Sequence, residues 1–148
     1  MSQRAITVRP ATESDAASIS ALLSELGYSL EASHVKENIA LLSLSSYDTV
    51  FVAQAGSTIA GVISFHVMPL FHVVGKLGRI SSLVVTIQWQ RNGVGRKLVQ
   101  AVEEFGWSQG CLRIEVTSGD QRKGAHLFYQ SLGYQLDERR FIKHSIAG

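Results

Sequence analysis

The stretch from Ile80 to Phe105, I-S-S-L-V-V-T-I-Q-W-Q-R-N-G-V-G-R-K-L-V-Q-A-V-E-E-F, decides the fold. Ile80, Leu83, Val84, Val85 and Ile87 form a β-branched, apolar run that predicts a buried strand. A polar turn follows, made of Gln90, Arg91, Asn92, Gly93, Val94 and Gly95. Val94, Leu98, Ala101, Val102 and Phe105 then recur at helical spacing. A strand, a glycine turn and a helix in that order make an anion site. Gly93 and Gly95 remove side chains, so backbone N–H groups can approach a ligand closely. The first turn of a helix has N–H groups without intrahelical partners, and the macrodipole adds positive potential there. Arg91, Arg96 and Lys97 add formal charge, and the expected guest is a phosphate or pyrophosphate.

Two common phosphate motifs fail. A P-loop ends in Gly-Lys-Ser/Thr, whereas Gly95 is followed by Arg96, Lys97 and Leu98. The dinucleotide fingerprint G-x-G-x-x-G finds its first two glycines in Gly93 and Gly95, but Leu98 stands at the third. The pattern Q/R-x-x-G-x-G/A is met by Gln90, Gly93 and Gly95, directly after Leu83-Val84-Val85. On these residues the chain resembles the GNAT superfamily of N-acetyltransferases, whose pyrophosphate-binding turn for acetyl-coenzyme A carries that signature. The resemblance implies donor contacts from Leu83, Val84, Val85, Gln90, Arg91, Asn92, Gly93, Val94, Gly95 and Arg96.

With 148 residues the chain is expected to form one domain, residues 1–148, with a core that needs neither disulfides nor metal. One cysteine, Cys111, allows no intramolecular disulfide, so a reducing cytoplasm is the expected location. No apolar run reaches the roughly 20 residues that span a bilayer, and the N-terminus lacks a signal-peptide core. A formal charge of +2 is too small and too scattered to argue for nucleic acid.

In chain order, Ala5 to Arg9 predicts a strand, and Thr12 caps a helix with Asp15 in its first turn. Ile19, Leu22, Leu23 and Leu26 form its buried stripe, which Gly27 ends. Val35, Ile39 and Leu42 mark a second helix. Val50 to Ala53 and Ile59 to Val67 predict two strands joined by a turn at Ala55-Gly56-Ser57. The second has two apolar faces, with Ile59, Ile63, Phe65 and Val67 on one and Ala60 and Val62 on the other, so it is expected to be covered on both sides. Pro69 breaks it. Cys111 to Thr117 is a strand, and Ala125, Phe128, Tyr129 and Leu132 define a helix closed by Gly133. Tyr134–Leu136 and Phe141–Ile146 are expected as a final hairpin. The order β-α-α-β-β-β-α-β-α-β-β is that of the GNAT acyl-CoA N-acyltransferase fold, an α/β (α+β) class with a mixed, mostly antiparallel sheet. The resemblance thus covers about residues 5–145.

A second motif supports the first. Ala125 to Tyr134, A-H-L-F-Y-Q-S-L-G-Y, resembles the family's A-x-x-x-Y-x-x-x-G-F/Y signature. The resemblance implies that Tyr129 contacts the donor and protonates the departing thiolate; a core role on the apolar stripe is the alternative. It also implies direct attack of an amine on the thioester, with the Val85 backbone N–H as oxyanion donor. Many relatives carry acidic residues just ahead of the Leu-Val-Val run, where this chain has Ser81 and Ser82. Glu115 is one candidate base, with a salt-bridged strand glutamate as the alternative. His66 and His72 are others, as is a base acting through water. Many members have an asparagine three residues before the motif alanine. Arg122 stands there, as in relatives that acetylate polyamines, aminoglycosides or aminoalkyl compounds, and a coenzyme A phosphate contact or an exposed helix-start role fits it.

Acceptor specificity is expected around Tyr28 and Leu30, along His66 to His72, and in Asp137 to Arg140. The expected reaction is acetyl transfer from acetyl-CoA to the primary amine of a small molecule, without a metal. A non-catalytic acyl-CoA sensor and a protein-amine acetyltransferase are the alternatives, with a nucleotide-dependent oxidoreductase disfavoured by Leu98. The apolar link Leu70 to Val74 suggests a homodimer surface.

Overall fold

A computed structural model describes residues 5–117 and 123–146. The chain forms two compact units, Met1–Thr117 and Ser118–Gly148. In the first, β1 (Ile6–Pro10), α1 (Ala16–Glu25) and α2 (Ala32–Leu42) precede β2 (Asp48–Ala55), β3 (Thr58–Pro69) and β4 (Lys76–Val85). The helix α3 (Val94–Ser108) then crosses to β5 (Cys111–Val116). The strands lie in the order β1-β2-β3-β4-β5, antiparallel throughout except for the parallel pair β4 and β5.

Both faces of the sheet are covered, as the apolar content of β3 predicts. On one face Ile19 and Leu22 of α1 and Val35 and Ile39 of α2 pack against Val52, Val62 and Val84. On the other, α3 buries Val94, Leu98, Val99 and Val102. Each such side chain contributes about 1.5–3 kcal/mol when removed from water. The approach of α3 is close. A Cβ at Gly61 would stand 3.0 Å from Leu98 Cδ1, from Val94 Cγ1 and from the Val84 carbonyl oxygen. Phe65 and Phe105 meet edge to face, with centroids 6.1 Å apart. Cys111 is buried beside this layer, and burial pushes its thiol up against the opposing pull of Lys76.

Two bulges set which residues share a face. Ala53 pairs with Gly61 and Gln54 with Ile59, so Ala60 is the extra residue. This moves Ile59 to the α1/α2 side with Val62, whereas strict alternation would have grouped it with Ile63 and Phe65. Ser64 pairs with Ser82 and Phe65 with Ile80, leaving Ser81 extra in β4. Ile87, expected in the strand, instead belongs to a 3-10 turn, Ile87–Trp89, and is exposed.

The β4–β5 ladder ends where Ile80 pairs with Val116, so β4 continues to Val85 with only β3 beside it. At the other end of the first unit, Asp15 fixes the start of α1. Its carboxylate accepts the Thr12 backbone N–H at 2.8 Å and both Arg9 guanidinium nitrogens at 2.9 Å. The Arg9 hydrogen bonds hold the Asp15 carboxyl below the usual carboxylate range.

The second unit contains α4 (Lys123–Ser131). Gly133, at φ +95°, closes it, and the Tyr134 N–H donates to the Tyr129 carbonyl at 3.0 Å. The expected hairpin of Tyr134–Leu136 and Phe141–Ile146 does not form among the described residues. Asp137 instead accepts the Arg139 backbone N–H and its guanidinium, at 3.0–3.2 Å, and Arg140 N–H donates to Glu138. These bonds shape a local bend. Among the described residues no helix is long and apolar enough to cross a membrane.

Candidate active site

The site grows from the C-terminal end of β4. Thr86 N–H donates to Ala60 O at 2.9 Å, so Thr86 points at β3. Backbone groups alternate sides along a strand, so the Val85 N–H and C=O point the other way, into the edge that β5 leaves unpaired. The Val85 carbonyl accepts Gln90 Nε2 at 3.3 Å on that side. The side chain of Val84 is buried in the α1/α2 core. Leu83 and Val85 are half-buried.

Glu25, at the last residue of α1, fixes this strand end. Its carboxylate accepts Thr86 Oγ at 2.8 and 3.1 Å and the Ile87 N–H at 3.0 Å. Sequence reading missed Glu25, because its partners lie 61 and 62 residues away and nothing local marks the pairing.

The glycine turn faces open space. Gly93 is the N-cap of α3 at φ +79°, and a Cβ built there would meet no atom within 4 Å. Arg91 also has positive φ, +66°. Asn92 Nδ2 donates to the Gln90 carbonyl at 3.0 Å and tightens the bend. Val94 is fully buried and anchors it, while Gln90, Arg91, Asn92, Gly93, Arg96 and Lys97 are exposed and Gly95 is half-buried. The Val94, Gly95 and Arg96 N–H groups belong to the helix's first turn, which lacks intrahelical acceptors. Diphosphate oxygens suit such donors.

Beyond the cover of α1 and α2, one row of the sheet is polar. Asp48, His66, Arg79 and Glu115 are direct register partners across β2, β3, β4 and β5, so they share a face. Glu115 accepts Arg79 Nη2 at 2.9 Å and Arg113 Nε at 2.8 Å, the salt-bridged alternative of the sequence reading. Arg79 Nε is buried with no hydrogen-bond partner among the described residues. His66 Nδ1 lies 2.8 Å from Asp48 Oδ1, and its Nε2 lies 2.6 Å from Ser81 Oγ. Ser81 Oγ is 2.6 Å from Ser64 Oγ, which is 2.5 Å from Ser82 Oγ.

The expected acceptor residues are not brought together. Tyr28 is exposed just beyond α1, next to the Glu25 anchor at the Val85 end of β4. His72 is exposed in the loop before Lys76, at the other end. The ten residues of β4 rise ~3.3 Å each, which separates those ends by about 30 Å. His66 lies between, opposite Arg79.

In the second unit, the Tyr129 ring meets Phe128 and Tyr134 edge to face, at centroid distances of 5.1 and 5.7 Å. Arg122 lies outside the described residues.

Comparison with known proteins shows the family and the fold. An aminoalkylphosphonate N-acetyltransferase of Salmonella typhimurium is 28% identical over 137 residues, covering 92% of this chain and 89% of the relative. An aminoglycoside N(6')-acetyltransferase type 1 of Stenotrophomonas maltophilia is 30% identical over 139 residues, covering 90% and 88%. The structure of an aminoglycoside N-acetyltransferase in complex with CoA superposes with a TM-score of 0.86 at 14% identity, covering 98% of this chain and 97% of that one. The family model described as "Acetyltransferase (GNAT) family" matches residues 18–134. With a five-stranded sheet, a parallel pair that parts beyond Ile80, and an open glycine turn at the head of α3, the chain belongs to the GNAT family of acetyltransferases.

Proposed function

We propose that this protein, acting as one domain, transfers the acetyl group of acetyl-CoA to the primary amine of a small molecule. The observation that carries the reading is the Gln90–Gly95 bend, exposed from Gln90 to Gly93, beside the unpaired edge of β4. Main-chain amides and the Arg91 and Arg96 charges receive the diphosphate, and the acyl end lies along Leu83–Val85. Small amines as acceptors follow the names of the relatives, an aminoalkylphosphonate and an aminoglycoside N-acetyltransferase. The amine attacks the thioester carbonyl. The Val85 N–H donates to the developing oxyanion, and the Tyr129 hydroxyl protonates the departing thiolate, a role that rests on its sequence motif. Glu115, committed to two guanidinium groups, is poorly placed to act as base. Tyr28 contributes to acceptor recognition at the same end of β4.

A thiol-release assay with a panel of primary amines tests this, run on the wild type and on Tyr129→Phe. The expected result is turnover of at least one small amine by the wild type. Tyr129→Phe should lose about 10²-fold or more in kcat while calorimetric acetyl-CoA affinity stays nearly unchanged. Equal loss of binding would make Tyr129 a packing residue. Donor binding without turnover of any amine would favour a sensor. A cytoplasmic homodimer through exposed Phe71 and Val74 completes the proposal, and sedimentation showing only monomer at micromolar protein would remove the dimer.

A further inference from the structure

The family's usual acidic positions ahead of the Leu-Val-Val run are hydroxyls here, Ser81 and Ser82, and the structure links them to a histidine. We propose that Ser82, Ser64, Ser81, His66 and Asp48 form a proton relay that carries the acceptor amine's proton from the β4 edge to His66. The proposal rests on the acetyltransferase reading above.

The geometry fixes the direction of the relay. Asp48 Oδ1, an acceptor, lies 2.8 Å from His66 Nδ1, so in the neutral imidazole, the form that can receive a proton, Nδ1 carries the hydrogen and Nε2 is left with its lone pair. Ser81 Oγ, 2.6 Å from Nε2, must therefore donate to it. That spends the only hydrogen of Ser81, which can only accept from Ser64; Ser64 in turn can only accept from Ser82. Every hydroxyl points its hydrogen toward His66, and the free lone pairs of Ser82 are left at the far end.

The placement of the two ends fits a proton path. Ser82 belongs to the part of β4 that has left β5 behind and borders the same gap as Val85. Three residues of rise separate them by about 10 Å along the strand, a gap that about three waters spaced ~2.8 Å apart span. At the other end Ser81 is exposed and His66 half-buried, so the proton has an exit to solvent.

The transfer balances. An ammonium N–H bond breaks as the proton passes, by way of water, to Ser82 Oγ. The Ser82, Ser64 and Ser81 hydrogens each move one oxygen onward, and His66 Nε2 gains the last. The product is a free amine with an imidazolium held against the Asp48 carboxylate, and no oxidant or metal is consumed. The charged groups facing His66 are Asp48 on β2, Arg79 directly opposite on β4, and Glu115 on β5, which occupies Arg79. His66 and Asp48 are thus positioning residues that act through the serines.

The test compares wild type, His66→Gln and Ser82→Ala in amine kinetics across pH, with acetyl-CoA affinity measured separately by calorimetry. Both variants are expected to lose about 10²-fold in kcat/KM for the amine near neutral pH, with donor affinity unchanged. The deficit should shrink as pH approaches ~10, where the amine is already unprotonated and needs no relay. A deficit equal at all pH values, or none, overturns the proposal. Independently of any acceptor, nitrogen-15 NMR of the wild type, assigned by difference against His66→Gln, should show the Nδ1–H tautomer. The Nε2–H tautomer overturns the relay even if the protein acetylates amines. Failure of the wild type to acetylate any amine would instead remove the acetyltransferase reading, and the relay's purpose with it.

Discussion

Replacing Gly61 with alanine probes how α3 is seated at the site. The new Cβ would meet Val94 Cγ1, Leu98 Cδ1 and the Val84 carbonyl oxygen, each at 3.0 Å. Such contacts are tighter than ordinary van der Waals distances, so the neighbours must give by a few tenths of an ångström. Val94 and Leu98 are fully buried, Val94 is β-branched and stiff in a helix, and the carbonyl belongs to the β4 backbone. The relief available is a shift of the first turn of α3 away from the sheet. Overpacking of this kind costs about 1–3 kcal/mol. Alanine recovers about 0.5–1 kcal/mol over glycine in a strand. The net loss, centred on about 1 kcal/mol, lowers Tm by roughly 3 °C for a chain of this length. Because the displaced turn carries the Val94, Gly95 and Arg96 amides, KM for acetyl-CoA should rise several-fold. Circular-dichroism melts and donor titrations at saturating amine read the two effects. An unchanged or raised Tm would refute the packing argument. A lowered Tm with unchanged KM would refute the claim that Gly61 seats the turn.

Two further outcomes follow from local geometry. Gly93→Val places a β-branched residue at φ +79°, so acetyl-CoA KM should rise at least tenfold, and an unchanged KM would contradict the turn's role. The depressed carboxyl of Asp15 contributes stability that is present above its unfolded value of about 3.9 and lost as pH falls through the lower folded value. Urea midpoints of the wild type should therefore drop below about pH 4 more steeply than those of Asp15→Asn, which itself costs about 1–2 kcal/mol at neutral pH through the lost contacts to Arg9 and Thr12; parallel curves would contradict the assignment.

What was legible in the sequence was mostly local. The strand, glycine turn and helix from Ile80 to Phe105 could be read because an apolar run, two glycines and a 3.6-residue period lie within one short stretch. The order of elements through α4 followed from the same signals. What escaped depends on strand partners. The Ala60 bulge, which turns Ile59 to the α1/α2 face, exists only in the register between β2 and β3. The Ser81 bulge likewise arises between β3 and β4, and the chain from Asp48 to Ser82 draws on three strands. Arg113 was close enough to Glu115 to be suspected, but Arg79 became its second partner only through the β4–β5 register. The final hairpin was expected from the apolar residues on either side of Asp137–Arg140, but the local bonds of Asp137 and Arg139 make only a bend there, with no ladder among the described residues.

The buried thiol of Cys111 has a practical consequence for following this enzyme. Shielded from solvent and held in its neutral form, it should ignore aromatic disulfide reagents while the fold is intact. Colour released during turnover then reports liberated coenzyme A alone. A single extra equivalent, appearing with heat or denaturant, becomes a built-in signal that the sheet has opened.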